Sequence, residues 1–489
     1  MPALGHNGVM TAVPERLRPL LAPESPLQDL ARRFAAAGHS LHLVGGSVRD
    51  ALLGITNPDA DYDLTTDARP DAVLELVRAW ADHVWLQGQA YGTIGGALVT
   101  PPFSPEKPFR VEVTTFRAEV YRPDSRKPSV TFSDSLETDL SRRDFTVNAM
   151  AISLPEPALA DPYGGLDDLL VHKRLRTPLD PEVSFLDDPL RMMRAARFMA
   201  ALGLEPDPAL VTAATDLAGR LEVVSAERIR DELSKLLVVD DPSPGLWFLV
   251  RTGLADEFLP ELPGLALEQD PIHHHKDVLA HTIAVVAKTR PELVVRLAAL
   301  LHDVGKPKTR SFGPEGVSFH LHDVVGARMA EERLRALRFP KDTIEAVTEL
   351  VLLHLRFHTY KMGWTDKAIR RYVRDAGPLL DDLNHLVRCD CTTRNQAKAR
   401  ALGRRMDDLE ARIADLAERE ELASIRPALD GHRVMELLGV PPGRVVGDAL
   451  TMLLDARIDE GPMTEEEAER RLLDWAGARG IGPGKSDAP

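Results

Sequence analysis

The chain has 489 residues, more than one compact core accommodates, so roughly three or four domains are expected. Its 44% hydrophobic and 28% charged residues are those of an ordinary soluble protein, and no apolar stretch reaches the roughly 20 residues that cross a bilayer. A net charge of −15 excludes a surface coated in base for indiscriminate nucleic-acid binding, so any RNA contact must be local, and the only two cysteines, Cys389 and Cys391, complete neither a disulfide framework nor a zinc site.

The first residues lack a basic start, an apolar segment and a small-residue cleavage site, so 1–25 is read as a disordered lead, and a cytoplasmic enzyme with no membrane partner is expected. SLHLVGGSVRD then reads as a strand entering a helix, ADYDLTT as a short strand, and DAVLELVRAWADHV as a helix. GTIGGALVT and FRVEVTTFR are two further strands separated by the turn PPFSPEKP. The polar stretch from Ala118 to Ser135 reads as a mobile loop. From about Asp187 onward apolar residues recur at three-and-four spacing, the mark of helices. The fold class is therefore α+β, a small mixed α/β head followed by helical domains. The expected division is head 26–178, neck 179–263, a metal-binding helical domain 264–423, a helical tail 424–478 and a flexible C-terminus 479–489.

Chemistry concentrates first at Asp61-Tyr62-Asp63. The two-residue period of a strand puts both carboxylates on one face, roughly 7 Å apart at Cα. Such a pair suits Mg²⁺, which takes few protein carboxylates and fills its shell with water and phosphate oxygens. Two such ions can activate a 3′-hydroxyl and stabilise departing pyrophosphate. Glu112, alternating with Val111 and Val113 on a later strand, is the candidate third carboxylate. An Asp-x-Asp is also common in solvated turns, and Asp59 keeps that alternative open. Upstream, the pair Gly45-Gly46 lies between an apolar strand and a helix, where backbone amides can approach a triphosphate and Arg49 can neutralise it.

LVGGSVRDALLG followed by ADYDLTT resembles the head signature of the polymerase-β-type tRNA nucleotidyltransferases and bacterial poly(A) polymerases, with a slightly longer link before the aspartates. LSRRDFTVNAMA is similar to the family's second motif. By that resemblance Arg143 contacts the incoming nucleotide, while Asp144 and Asn148 order the site and the sugar. Arg142 can equally form a surface ion pair. DPYGGLDDL resembles the connector between head and neck, implying a hinge.

The cluster DDPLRMMRAARF follows. On a helix beginning near Pro189, Arg191, Arg194 and Arg197 share a face, which could equally be a solvated basic stripe. Cytosine and adenine both present an exocyclic amine beside a ring acceptor, which a carboxylate plus a guanidinium complements. Guanine and uracil leave those groups mispaired. Asp188 and Arg191 are thus suited to read C and A without a template. They match the last acid and the arginine of the Glu-Asp-x-x-Arg motif of class II members, where Asp187 stands in place of Glu. The same match implies that Arg194 and Arg197 bind nucleotide phosphate or order the pocket.

Further on, His281 lies in DVLAHTIAVVAKT, and His302-Asp303 interrupts the apolar run AALLHDVGKP, where unpaired burial would be costly. With Asp390 they resemble the ligands of HD-domain phosphohydrolases, implying a divalent transition metal. His322 and His354 could join them or hydrogen-bond locally, His320 competes with His322, and His273–His275 reads as a polar approach to a helix. The tail LDGHRVMELLGVPPGRVVGDAL resembles the family's tRNA-holding end.

The resemblance implies CCA addition to tRNA from CTP and ATP, using two Mg²⁺ ions. A poly(A) polymerase or a partial CC- or A-adding enzyme is the alternative, and from another class a phosphohydrolase whose head binds RNA. The acidic end IDEGPMTEEEAERRLLDWAG argues against long tails, because a tail-making polymerase is expected to carry a basic extension.

Overall fold

The computed structural model describes residues 9, 10, 13, 15, 18, 21–55, 61–117, 131–267, 277–313, 316–391, 396–420 and 426–481. The chain falls into two compact units, Met1–Pro263 and Gly264–Pro489. Asp59, most of the polar loop and His273–His275 lie outside the described residues.

The first unit is built on eight strands: β1 (Val9–Met10), β2 (Leu41–Val44), β3 (Tyr62–Thr66), β4 (His83–Trp85), β5 (Thr93–Leu98), β6 (Phe109–Thr115), β7 (Ala151–Leu154) and β8 (Ala158–Ala160). They form one sheet in the order β1-β8-β7-β2-β3-β6-β5-β4. Only β3 and β6 run parallel, and their register sets Asp63 directly beside Glu112. Apolar alternation drives this pairing: Val111 and Val113 are buried while Glu112 between them is not, because successive side chains point to opposite faces. Helices Pro26–Ala36 and Pro70–Arg78 pack on the sheet and on each other through Leu30, Phe34, Val73 and Val77.

The second of these helices ends at Arg78, earlier than its sequence pattern suggests. Asp82 accepts hydrogen bonds from the backbone of Val99 and Thr100 and leads the chain into β4, which pairs with β5. Sheet pairing overrides the local helical pattern there. In the neck, helix Leu190–Leu202 packs against Ala226–Leu237 and Ser243–Arg251.

The second unit is mainly helical, with helices Val278–Lys288, Leu293–Leu301, His322–Ala336, Lys341–Leu353 and Leu380–Asp390 enclosing its polar cluster. A hairpin, Arg310–Gly313 with Gly316–Phe319, interrupts a region whose sequence reads as almost wholly helical. Helices Gly431–Leu438, Arg444–Glu460 and Glu465–Gly477 close a small core of their own around Val434, Leu438, Leu453 and Leu472. Among the described residues no helix is long and apolar enough to cross a membrane.

Candidate functional site

Helix Gly46–Leu53 follows β2 directly, and its N-cap, Gly45, has φ +72° and offers no side-chain cap. The first amides of that helix are therefore left for another acceptor, and a helix N-terminus favours an anion. Of the glycine pair, Gly45 carries the conformational demand. A Cβ there would lie 3.2 Å from Arg143 Nη1 and 3.6 Å from Asp63 Oδ2. The glycine thus lets backbone, carboxylate and guanidinium converge. Arg143 is steered from below by Asp139, 3.4 Å away, and its buried Nε has no hydrogen-bond partner. An orphan buried donor beside open helix amides is a fitting cradle for phosphate oxygens.

Asp61 and Asp63 sit at and just before the start of β3, with Glu112 on the adjoining strand and Arg110 3.9 Å from Asp61. Asp63 reaches solvent, yet the surrounding protein raises its carboxyl above the ordinary range; Arg143 opposes this, and the charges of Glu112 and Asp61 add to it. Carboxylate oxygens with no softer donor are what a hard divalent cation takes, so the donor set fits Mg²⁺. As a set, however, the three carboxylates stand further apart than the metal-capable groups of the second unit, whose ligand atoms alone among the described residues lie within 4.8 Å of one another.

Behind this edge a charge network ties head to neck. Arg49 donates to Asn148 Oδ1 (2.7 Å) and to its neighbour Asp50 (2.8 Å). Asn148 donates to Asp144 Oδ1, and Asp144 Oδ2 receives Arg194 through Nε (2.9 Å) and Nη2 (2.6 Å). Burial disfavours the Asp144 anion, but Arg194 and Asn148 outweigh it and hold the carboxyl down at about 2. Arg194 and Arg197 both reach the buried Glu232, at 3.4 and 2.7 Å, and both lie over the Phe198 ring, as does Arg49. Of the two roles expected for Arg194 and Arg197, the geometry favours ordering the pocket over free phosphate binding. Glu232 escapes sequence reading because a lone glutamate on an amphipathic helix looks solvated.

The base-reading candidates lie at the same joint. Arg191 donates to Ser184 Oγ (2.8 Å) and to the carbonyl of Arg142 (2.5 Å). Arg142 in turn pairs with Asp187 at 2.7 Å, so Asp187 serves as a head-to-neck clasp. Asp188 accepts from Leu190 N, at the start of the following helix, through Oδ1, and its Oδ2 takes Arg228 at 2.9 Å. Arg228 was not singled out by any sequence pattern. The connector expected to bend is packed: Asp168, 1% exposed, takes Arg174, Arg176 and Thr146.

The second unit brings the four expected ligands, His281, His302, Asp303 and Asp390, together with the two left open, His322 and His354. Helix Leu293–Leu301 stops just before His302, and the turn that follows presses against helix His322–Ala336. Gly305 makes this possible, since a Cβ there would stand 2.2 Å from the carbonyl of His322. His302 Nε2 lies 3.4 Å from His281 Nε2 and 3.5 Å from Asp390 Oδ1, and the latter two are 2.9 Å apart. Asp303 Oδ2 is 3.3 Å from His302 Nε2, while its Oδ1 is 3.5 Å from His322 Nε2. Lys306 donates to Asp303 at 2.6 Å. Burial opposes charge on His302, but Asp303 and Asp390 raise it to about 10, whereas burial and then the charge of His302 lower His354 to about 4. His320 is exposed and stands outside the cluster.

Three stretches match family models: residues 41–176 the poly A polymerase head domain, 203–265 the probable RNA and SrmB- binding site of polymerase A, and 274–423 the HD domain. The chain is 36% identical to the A-adding tRNA nucleotidyltransferase of Deinococcus radiodurans, over 89% of this chain and 95% of that one. It is 35% identical to the CC-adding tRNA nucleotidyltransferase of Thermus thermophilus, over 89% and 94%. Among solved structures, the Bacillus stearothermophilus CCA-adding enzyme in complex with CTP shares the fold, with a TM-score of 0.64 and 23% identity over 96% of this chain and 99% of that one.

Proposed function

Given that the chain belongs to the tRNA nucleotidyltransferase family, we propose that it adds C, C and A to the 3′ end of tRNA from CTP and ATP without a nucleic-acid template. The observation that supports this reading best is the joint at which Arg191 reaches the Arg142 carbonyl and Asp187 pairs with Arg142, with Asp188 next in the chain and held by Arg228. One carboxylate and one guanidinium there complement the amine and ring acceptor shared by cytosine and adenine.

In this reading Asp61, Asp63 and Glu112 hold two Mg²⁺ ions, which supply activation of the 3′-hydroxyl and neutralisation of the pyrophosphate when bound. Gly45, Gly46 and the following helix amides seat the triphosphate, and the unpartnered Nε of Arg143 donates to it. Arg49 and Asn148 fix the sugar side, and Asp144, Arg194, Arg197 and Glu232 keep the neck helix in register with the head. The helical tail, residues 424–478, holds the body of the tRNA through its shape and phosphates.

Partial addition is the second reading, since the two long relatives are an A-adding and a CC-adding enzyme. A tRNA ending before CCA and one ending in CC, each given CTP alone, ATP alone or both, separate the readings. Two C then one A only with both nucleotides supports the first; CC alone, A onto a CC end alone, or long A tracts would each replace it. Asp61→Ala with Asp63→Ala should abolish incorporation on all of these substrates.

A further inference from the structure

One rung of the sheet runs through Asp63 on β3, Glu112 on β6, Gly95 on β5 and Trp85 on β4. Residues paired across strands point to the same face, so the Trp85 side chain stands on the face that bears the carboxylates. The opposite face is closed by helix Pro70–Arg78: a Cβ on Gly96 would meet Val77 at 2.6 Å. On the carboxylate face Gly95 has no side chain, and the Trp85 indole fills that space, since a Cβ on Gly95 would stand 1.9 Å from Trp85 Cε2 and 2.1 Å from its Nε1. The ring therefore lies over β5, one strand spacing of about 4.8 Å from the strand of Glu112, and it stays partly exposed.

Arg110, two residues before Glu112, shares that face. Asp61 precedes Tyr62 and Arg110 precedes Val111, and Tyr62 and Val111 are register partners. The two charged side chains are thus neighbours at the strand ends, 3.9 Å apart and each half exposed. On the other face Tyr62 stacks on Phe109, with 4.8 Å between ring centroids, which pins both strand ends. An exposed ion pair of that length holds Arg110 only weakly, so its guanidinium is available to an arriving anion.

From this placement we infer that Trp85 and Arg110 seat the last nucleotide of the RNA being extended, its base on the indole and the last phosphodiester on the guanidinium. In-line displacement puts the attacking 3′-hydroxyl and the departing pyrophosphate on opposite sides of the reacting phosphorus. The triphosphate cradle of Gly45, the open helix amides and Arg143 lies on the β2 side of the carboxylates. The strand order β2-β3-β6-β5-β4 sets Trp85 on their other side, where the attacking strand must enter. An aromatic face also suits the task. Each addition leaves a new terminal nucleotide, and stacking tolerates any base because every base has a π-face. This inference rests on nucleotidyl transfer by the first unit.

The test measures single-nucleotide incorporation by the full chain, with the tRNA end and the nucleotide that the native protein uses. That tRNA is supplied unmodified, abasic at its last nucleotide, or with an uncharged methylphosphonate as its last internucleotide linkage. On unmodified tRNA, Trp85→Ala and Arg110→Ala should each raise KM for tRNA about tenfold and leave KM for the nucleotide within about twofold. Trp85→Phe and Arg110→Lys should recover most of the loss, because they keep the π-face and the charge. For the native protein the abasic and methylphosphonate tRNAs should each cost about the same tenfold. Trp85→Ala should then add nothing to the abasic loss, and Arg110→Ala nothing to the methylphosphonate loss. Losses that multiply on the modified tRNAs, or a KM shift for the nucleotide in place of tRNA, would overturn the seat. If Trp85→Ala does not fold, the native protein decides: an unchanged KM for the abasic tRNA would overturn the stacking. A native protein that extends no tRNA end with any nucleotide would instead overturn the nucleotidyl transfer on which the seat depends.

Discussion

Replacing Asp144 by Asn removes one charge and almost no volume from the centre of the network that joins head to neck. In the native protein this carboxylate takes two hydrogen bonds from Arg194, one from Asn148 and one from Phe145 N. Its fall from the ordinary 3.8 to about 2 corresponds to about 2 kcal/mol of folded-state preference for the anion. Removing one partner of a buried pair costs about 3–5 kcal/mol in general, so a loss of about 2–4 kcal/mol is expected at neutral pH. Because the folded carboxyl is the more acidic, its stabilisation is complete above the unfolded value of 3.8 and fades as pH falls towards 2. The gap between native and Asp144→Asn should therefore shrink by about 1 kcal/mol between pH 7 and pH 3. Urea unfolding at both pH values, followed by tryptophan fluorescence, reads this gap. A gap of the same size at both values would show that Asp144 contributes through packing and not through charge.

Gly45→Ala should cut nucleotide incorporation at least about tenfold while costing about 1–3 kcal/mol of stability, because φ +72° strains any side chain and the new methyl meets Arg143. Native-level incorporation would remove Gly45 from the nucleotide cradle. Arg228→Ala frees Asp188 from an exposed ion pair worth up to about 1 kcal/mol, so KM for CTP and ATP should fall up to about fivefold. A rise in KM would instead place Arg228 on the substrate. Asp188→Ala should lower discrimination against UTP and GTP by about 10- to 100-fold, read by single-nucleotide incorporation, since a mispaired buried group costs about 1–3 kcal/mol.

What could be read from the sequence was whatever local spacing encodes. Strand alternation around Glu112 and Asp63 and the helix start at Pro189 were visible because each depends on a few neighbouring residues. The resemblance to known motifs supplied Arg143, Asp144 and Asn148, which spacing alone does not mark. What escaped depends on contacts far apart in the chain. β4 forms only because β5 is there to pair with it, and Asp82 is 17 residues from its Val99 partner. Glu232 and Arg228 gain their meaning 35 to 40 residues away, on Arg197 and Asp188. The HD histidines showed the opposite case: the sequence left His322 and His354 ambiguous between ligand and local bonding, and the structure commits Nδ1 of each to a backbone carbonyl while Nε2 of each is buried without a hydrogen-bond partner.

The Phe198 ring, with three guanidiniums around it and Asp144 and Glu232 buried beneath, has a consequence for how the protein responds to salt. Mobile ions screen charges across solvent, over about 8 Å at physiological ionic strength, but barely enter a packed interior. The alignment of the neck helix with the head should thus hold from dilute buffer to concentrated brine. Capture of a polyanion by exposed arginines on an acidic chain will weaken steeply over the same range. Choosing the nucleotide and gripping the RNA would then answer to different features of the surrounding medium.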